Sequence, residues 1–445
     1  MTTEVNVAVR SDAGAAKTRK PLRVALLGFG TVGQAVARIL TERDDLRDRL
    51  QLTHVFNRGI ARKRVDWLSA SVVWTEDFDE ILESRPDVVV EVVGGVDIPY
   101  GWVRQALSQG VSVVTANKLL MAAHAPELLA LAATRDARVR FEAAVAGGVP
   151  IIDAIRSGLS GDRLTRVVGI LNGTCNFILS RMTDGDSMAG ALGEAQRLGF
   201  AEADPTSDVD GHDAAAKLSL LAGVAFRRYL RTADIPTRSI SSIDAVDFRY
   251  AKRLGGTIRQ LAMAEADGSG GVEASVGPAL VDETSSFARN RGAQNLVMVS
   301  GRYGGATTFS GEGAGGHPTA VAVVSDLVAI SRPGSWQDPG DLVWEPGTVI
   351  AARARPYYLR FMVRDRPGIV ASITSALSQS DINIDAVLQE PGFPRDRLPF
   401  VVTVEPCLAA ALHAAMQEVE SQGFHAEPPV VMPVVPREEH AAQKQ

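Results

Sequence analysis

The sequence predicts an α/β chain in three parts: an N-terminal doubly wound domain of the Rossmann type, an α+β middle domain for substrate and dimerisation, and a C-terminal ferredoxin-like domain. Three observations carry this reading. Short apolar runs alternate with helical patterns from Leu22 to about residue 140, and a glycine-rich turn follows the first run. Near Glu142 the alternation gives way to longer helical stretches with scattered strands. From Tyr357 the order becomes strand, helix, strand, strand, helix, strand. A chain of 445 residues also exceeds one ordinary core.

In the first part, Leu22–Leu27 reads as a strand interrupted only by Arg23, and Val32–Leu40 as a helix. Leu52–Phe56 reads as the second strand. Val88–Val93 is a nearly unbroken β-branched run, as in a parallel strand covered on both faces. Val103–Leu107 is predicted helical, Val111–Thr115 extended and Pro126–Ala133 helical. In the middle part the expected helices are Ile151–Ile155, Phe177–Met182, Ser187–Leu198 and His212–Val224, with strands at Val272–Val276, Leu296–Ser300 and Thr307–Phe309. Ala320–Ile330 reads as a helix returning to the first domain, and Ser331–Pro356 as a linker with an exposed Trp336. The expected parts are thus a tail at 1–20, domains at 21–144 and 145–319, a return helix and linker at 320–356, the third domain at 357–435, and a tail at 436–445.

Composition narrows the function. An apolar fraction of 46% and a charged fraction of 22% are those of a globular protein. A net charge of −6 without basic blocks argues against a nucleic-acid partner. No apolar stretch spans a membrane, no secretory leader is visible, and two distant cysteines, Cys175 and Cys407, make neither a disulfide framework nor a thiolate zinc site. A cytoplasmic protein is expected.

Gly28-Phe29-Gly30-Thr31-Val32-Gly33 is a GxGxxG run placed where its mechanism needs it, after a strand and opening a helix. Gly28 makes the turn, Gly30 admits a pyrophosphate, Gly33 lets helix and strand approach, and the helix start offers free N–H donors. A nicotinamide dinucleotide is the expected cofactor. At the end of the second strand an acid would select NAD(H). Here Asn57-Arg58 and then Lys63 stand instead, so NADP(H) is expected to be preferred, with Arg58 and Lys63 on the 2′-phosphate and NAD(H) still usable. A solvated basic loop is the plain alternative.

Further runs are hard to explain as scaffold: Thr115-Ala116-Asn117-Lys118, Glu142 to Pro150, Gly169 to Thr174, Gly199 to Pro205, Asp208 to Asp213 followed by Lys217, and Gly311 to Gly315. With the glycine loop and in this order, over roughly residues 22 to 330, they resemble homoserine dehydrogenase. The part from Tyr357 looks like an ACT domain, so the chain resembles the long bacterial form. The resemblance implies NAD(P)-dependent interconversion of L-aspartate 4-semialdehyde and L-homoserine. It implies Glu202 on the substrate amine, Asp208 and Asp213 in the polar pocket, Lys217 as proton donor, and Lys118 between substrate and nicotinamide. Phe29, Thr31, Val32 and Gly315 would touch the cofactor. A structural sodium ion would be held, mainly by backbone oxygens, at Glu142, Val145, Gly147 and Val149. The resemblance weakens in the third part, where Val404-Glu405-Pro406-Cys407 replaces a Thr-His pair common among relatives.

The chemistry has its own support. Reducing an aldehyde builds negative charge on its oxygen, and a proton donor must meet it. Asp213 and Lys217 share a helix face. A surface ion pair is the ordinary reading of that spacing, but here a dense acidic loop leads into an apolar helix, which sets the pair at the mouth of a buried element. The carboxylates Glu202, Asp204, Asp208, Asp210 and Asp213 are also oxygen ligands suited to a divalent metal, although hydride chemistry with a lysine donor needs none. Cys175 lacks a neighbouring base and reads as a buried small side chain rather than a nucleophile. A non-catalytic dinucleotide sensor is the alternative from another class. L-Threonine is the expected effector, through the turn Asp365-Arg366-Pro367-Gly368 and Asn383, and a chain cut before Tyr357 is expected to keep turnover. A homodimer or homotetramer is expected, since the middle sheet must cover one face.

Overall fold

The computed structural model describes residues 20–332 and 343–435. The expected tails and Trp336 lie outside these, except for Lys20.

The first part is a six-stranded parallel sheet in the order Val73–Thr75, Leu50–Phe56, Leu22–Leu27, Val88–Glu91, Ser112–Thr115, Val139–Arg140. This is the doubly wound dinucleotide-binding order. The two edge strands were not expected; they are too short to show a period. Val88, Val89 and Val90 are wholly buried, which accounts for their unbroken apolar run. The helix placed at Pro126–Ala133 in fact spans Lys118–Thr134. Asn117 starts it, its side chain accepting from Leu120 N at 3.1 Å. Pro126, inside the helix, denies the Ala122 carbonyl its usual donor. The Tyr229 hydroxyl supplies one at 3.0 Å.

The chain crosses to the middle part after Phe141 and returns as the helix Gly316–Ser331. That helix lies beside Thr31–Glu42, and its Ala320, Val323 and Leu327 share one apolar cluster with Val24, Leu26 and Val36. Arg49 of the first part donates to Val328 O at 3.2 Å and to Ser331 Oγ at 2.7 Å.

The middle part holds a sheet ordered Gly305–Glu312, Gln294–Gly301, Leu164–Ile170, Gly256–Ala266, Gly271–Asp282. Leu164–Ile170 and Gly256–Ala266 escaped the sequence reading because polar residues break their apolar pattern. Arg259 and Gln260 are buried within the second, and Arg259 donates to Ile258 O at 2.8 Å and Ala288 O at 2.9 Å. The expected linker is also corrected. Trp344 is buried in the main core against Gly223, and Thr348–Ile350 pairs with Gly271–Glu273.

The third part has the strand order His425–Val435, Arg355–Val363, Leu398–Cys407, Ile384–Gln389, with helices Ile369–Gln379 and Ala409–Glu420. It is no appended bead. Val434 and Val435 pair with Leu280 and Val281, so the two sheets run on as one. Arg360, almost wholly buried, meets Asp247 at 3.0 Å and donates to Ser242 O at 2.8 Å, and the Tyr358 hydroxyl donates to Asp247 at 2.8 Å. No helix among the described residues is long and apolar enough to cross a membrane.

Candidate functional site

The glycine turn fits a dinucleotide. A Cβ on Gly33 would lie 2.0 Å from the Gly28 oxygen, whereas nothing lies within 4 Å of one built on Gly30. Helix and strand are therefore in contact at Gly33, and open space remains over the helix start at Gly30. Thr31 is exposed and Val32 half-buried at that start. Phe29 stands between the first two glycines of the turn. Its ring is buried against Trp67 and Trp74, and its N–H donates to Asn57 Oδ1 at 3.1 Å. Asn57 thus takes the position of the missing acid and holds the glycine turn. Arg58 and Lys63 are exposed and carry no ion pair among the described residues. Glu76 stands close by, but its carboxylate accepts from Gly59 N and Ile60 N, both at 2.9 Å.

One wall of the site escaped the sequence reading. Glu91 ends its strand fully buried, accepting from Val93 N at 2.8 Å and from the Thr115 hydroxyl at 2.6 Å. Thr115 Oγ1 accepts from Asn117 N at 3.0 Å, and Asn117 Nδ2 donates to Gly95 O at 2.6 Å. This chain of bonds fixes the turn that presents Lys118.

A cleft of about 380 Å³ runs from Val32 and Gly94 past Lys118 to Lys217, with Gly147, Gly313 and Ala314 on the facing side. A larger hollow, about 510 Å³, lies around Arg163 and Arg302 at the other end of the middle sheet. The smaller one is the candidate site because the reactive groups converge there. Lys217 Nζ donates to Asp213 Oδ2 and to Leu171 O, both at 2.8 Å. Lys118 Nζ reaches Asp213 Oδ1 at 2.6 Å. Asn172 Nδ2 donates to Asp213 Oδ2 at 2.9 Å and Asp208 Oδ1 at 2.7 Å, while its Oδ1 caps the helix Gly173–Thr183. Asp213 is buried, Lys217 is 12% exposed and Lys118 38%. Burial alone would push the Asp213 carboxyl up, but the Lys217 and Lys118 ammonium groups outweigh it and hold it well below the usual carboxylate range. For Asp208 burial wins and the carboxyl is raised, only partly offset by the Asn172 amide. Burial also pushes the Cys175 thiol well up, and its Sγ donates to Asp208 O at 3.1 Å.

Glu202 is exposed, its carboxylate without a partner among the described residues. Gly315 precedes the helix Gly316–Ser331 with φ +113°, and a Cβ on Gly316 would meet Thr31 at 2.9 Å, so the two helix starts adjoin. At Glu142–Val149 the Glu142 carboxylate is already engaged, accepting from Ile152 N at 2.8 Å and Asp153 N at 2.7 Å. Burial raises it to about 7, with Asp326 adding to the effect. The carbonyls of buried Val145 and Gly147 accept no hydrogen bond among the described residues, whereas those of Glu142 and Val149 accept from Val145 N and Ile151 N; main-chain oxygens suit a hard monovalent cation. Among the described residues no three His, Cys, Asp or Glu side chains are grouped as metal ligands.

Comparison with known proteins identifies the family. Residues 150–328 match the family model for homoserine dehydrogenase, residues 28–142 that for the homoserine dehydrogenase NAD-binding domain, and residues 357–423 that for the ACT domain. The homoserine dehydrogenase of Pseudomonas aeruginosa is 38% identical over 418 residues, 90% of this chain and 96% of that protein. The crystal structure of a homoserine dehydrogenase from Thiobacillus denitrificans superposes with a TM-score of 0.85 at 35% identity, covering 94% of this chain and 99% of that one. A hyperthermophilic archaeal homoserine dehydrogenase mutant in complex with NADPH gives a TM-score of 0.61 at 26% identity, over 70% of this chain and 99% of that one.

Proposed function

The chain belongs to the homoserine dehydrogenase family and ends in an ACT domain, and from that premise we propose that Lys217 carries the proton as L-aspartate 4-semialdehyde and L-homoserine are interconverted. The family makes the chain an oxidoreductase, and the reading as a turnover-free sensor falls with it. The single observation behind the residue roles is the Lys118–Asp213–Lys217 cluster, set on a cleft that opens from the glycine turn.

When bound along the glycine turn, a nicotinamide dinucleotide would supply the hydride for aldehyde reduction and accept it in alcohol oxidation. Lys217 gives its proton to the aldehyde oxygen as charge grows there, and its neutral form takes the homoserine hydroxyl proton in reverse. Two of its three donors are fixed by Leu171 O and Asp213, which leaves one for substrate. Lys118 neutralises the other Asp213 oxygen and stands ready for the substrate carboxylate. Asp208 completes the polar pocket, and Glu202, whose carboxylate is free, takes the substrate amine. Gly28, Phe29 through its backbone, Gly30, Thr31, Val32, Gly33 and Gly315 frame the dinucleotide. Arg58 and Lys63, exposed and unpaired among the described residues, favour NADPH over NADH; the archaeal relative's complex with NADPH supports this. Glu142, Val145, Gly147 and Val149 would hold sodium through main-chain oxygens.

The third part, as an ACT domain, suits a small-molecule effector, for which L-threonine is the candidate. A homodimer or homotetramer is supported by the exposed edge strand Gly305–Glu312, which has no neighbour on its outer side among the described residues. The site of action is expected to be the cytoplasm. Replacing Lys217 by Ala tests the central claim: kcat should fall about 10²–10⁴-fold, with dinucleotide affinity, measured by fluorescence titration, nearly unchanged. Near-normal turnover in the folded variant would move the proton to Lys118.

A further inference from the structure

Behind Lys217 stands a side chain that the roles above do not use. Asn295, on the strand Gln294–Gly301, is fully buried. Its Nδ2 donates at 3.1 Å to the Leu171 carbonyl, the same oxygen that accepts Lys217 Nζ at 2.8 Å. Two carbonyl oxygens repel, so Leu171 decides which end of the amide faces it. The other end, Oδ1, is buried with no hydrogen-bond partner among the described residues. Gly313, in the loop that walls the cleft, closes the far side: a Cβ there would lie 2.1 Å from the Asn295 side chain. An unmatched buried acceptor is unfavourable, and an apolar residue of the same size would fill this space without it. What the amide adds is its donor.

We infer that Asn295 is a positioning residue for the proton transfer. It occupies one lone pair of the Leu171 oxygen, aims the other at Lys217, and weakens the hold of that oxygen on the charged ammonium. This rests on Lys217 as proton carrier. The groups facing Lys217 are Asp213 on its own helix, Lys118 across Asp213, Asp208 from the turn Thr206–Val209, and the Cys175 thiol. Asn295 is neutral, so replacing it alters a hydrogen bond and no net charge.

Without the Asn295 donor the Leu171 oxygen binds the ammonium more strongly, which favours the charged form. In Asn295→Leu, which keeps the volume, the Lys217 midpoint should rise by about half to one pH unit. In homoserine oxidation the rise of kcat with pH should move up equally, so kcat below it drops about 3- to 10-fold. The dinucleotide KM should stay within about twofold. The midpoint is read independently of turnover, from the Cε carbon signal of Lys217 against pH in lysine-labelled enzyme without dinucleotide, assigned by its loss in Lys217→Ala. Asn295→Ala, which removes the same donor, serves if the leucine variant does not fold. A Lys217 midpoint that stays put in either folded variant overturns the inference, even where kcat falls. If Lys217→Ala keeps its rise of kcat with pH, the proton-carrier reading fails instead, while the Cε titration still reports on Asn295.

Discussion

Asp213 is the residue on which the site depends. Two ammonium groups and one amide converge on its carboxylate. Asp213→Asn should lower stability by about 1.5–3 kcal/mol, the range for hydrogen bonds to charged groups, and should lower kcat by freeing Lys217. The sign of its pH dependence follows from a folded pKa held below the unfolded one. The stabilisation is complete above about pH 4, the unfolded value, and is lost as pH falls below that toward the folded pKa. Wild type and Asp213→Asn should therefore converge in denaturant midpoint on acidification; a gap that widens would contradict the pairing. Arg58→Ala should raise the KM for NADPH more than that for NADH, and equal effects would remove Arg58 from the 2′-phosphate. How far the site was legible depends on the residue type. Asp213 and Lys217 show a helical spacing beneath an acidic loop, and Lys118 follows a strand. Asn295, Glu91 and the Leu171 carbonyl do not announce themselves, since a neutral amide, a lone acid in an apolar run and a backbone oxygen have no spacing signature.

At the scale of elements, the helices His212–Phe226 and Gly316–Ser331 were readable as long apolar runs, and the βαββαβ order of the third part from apolar stretches separated by turns. The misses have physical causes. Gly256–Ala266 hides buried Arg259 and Gln260, whose partners Ala288 O and Asp208 O come from distant parts of the chain. The helix Lys118–Thr134 carries a proline that normally marks a boundary. The Ala122 carbonyl freed by Pro126 is served by Tyr229, a partner about a hundred residues away. Tyr229→Phe should lower stability by about 1 kcal/mol, seen as a lower urea midpoint without loss of the dinucleotide site. An unchanged midpoint would mean that water serves the carbonyl equally well.

For the whole molecule, the shared sheet changes what the third part can be asked to show. Arg360, Asp247 and Tyr358 bond across its border, and one apolar cluster joins Leu179, Phe248 and Tyr250 to Tyr358, Met362 and Val430. Cutting the chain before Tyr357 would open that cluster and leave Asp247 without Arg360 and Tyr358, so the shortened chain should be less stable than the whole one. Arg360→Leu should cost about 3–5 kcal/mol, because it leaves a buried carboxylate uncompensated, and a denaturation midpoint close to wild type would show the pair to be dispensable. The proposed threonine control should be tested on the intact chain, as initial rate against threonine. Light scattering at micromolar concentration should report a dimer or tetramer.

The helix Gly316–Ser331 also bears on how the protein is made. Ala320, Val323 and Leu327 complete the apolar layer over Val24, Leu26 and Val36, so the dinucleotide domain is discontinuous in sequence and the middle domain is in effect an insertion. A ribosome delivers the chain from its N-terminus. The face of the first sheet that Thr31–Glu42 covers only in part must then wait until residue 331 has left the exit tunnel, while the middle sheet assembles. Nascent chains with about 300 residues emerged from the ribosome should be cut by protease within about the first 140, and chains with about 350 emerged should resist there. During synthesis, the domain that begins the protein would be among the later ones to close.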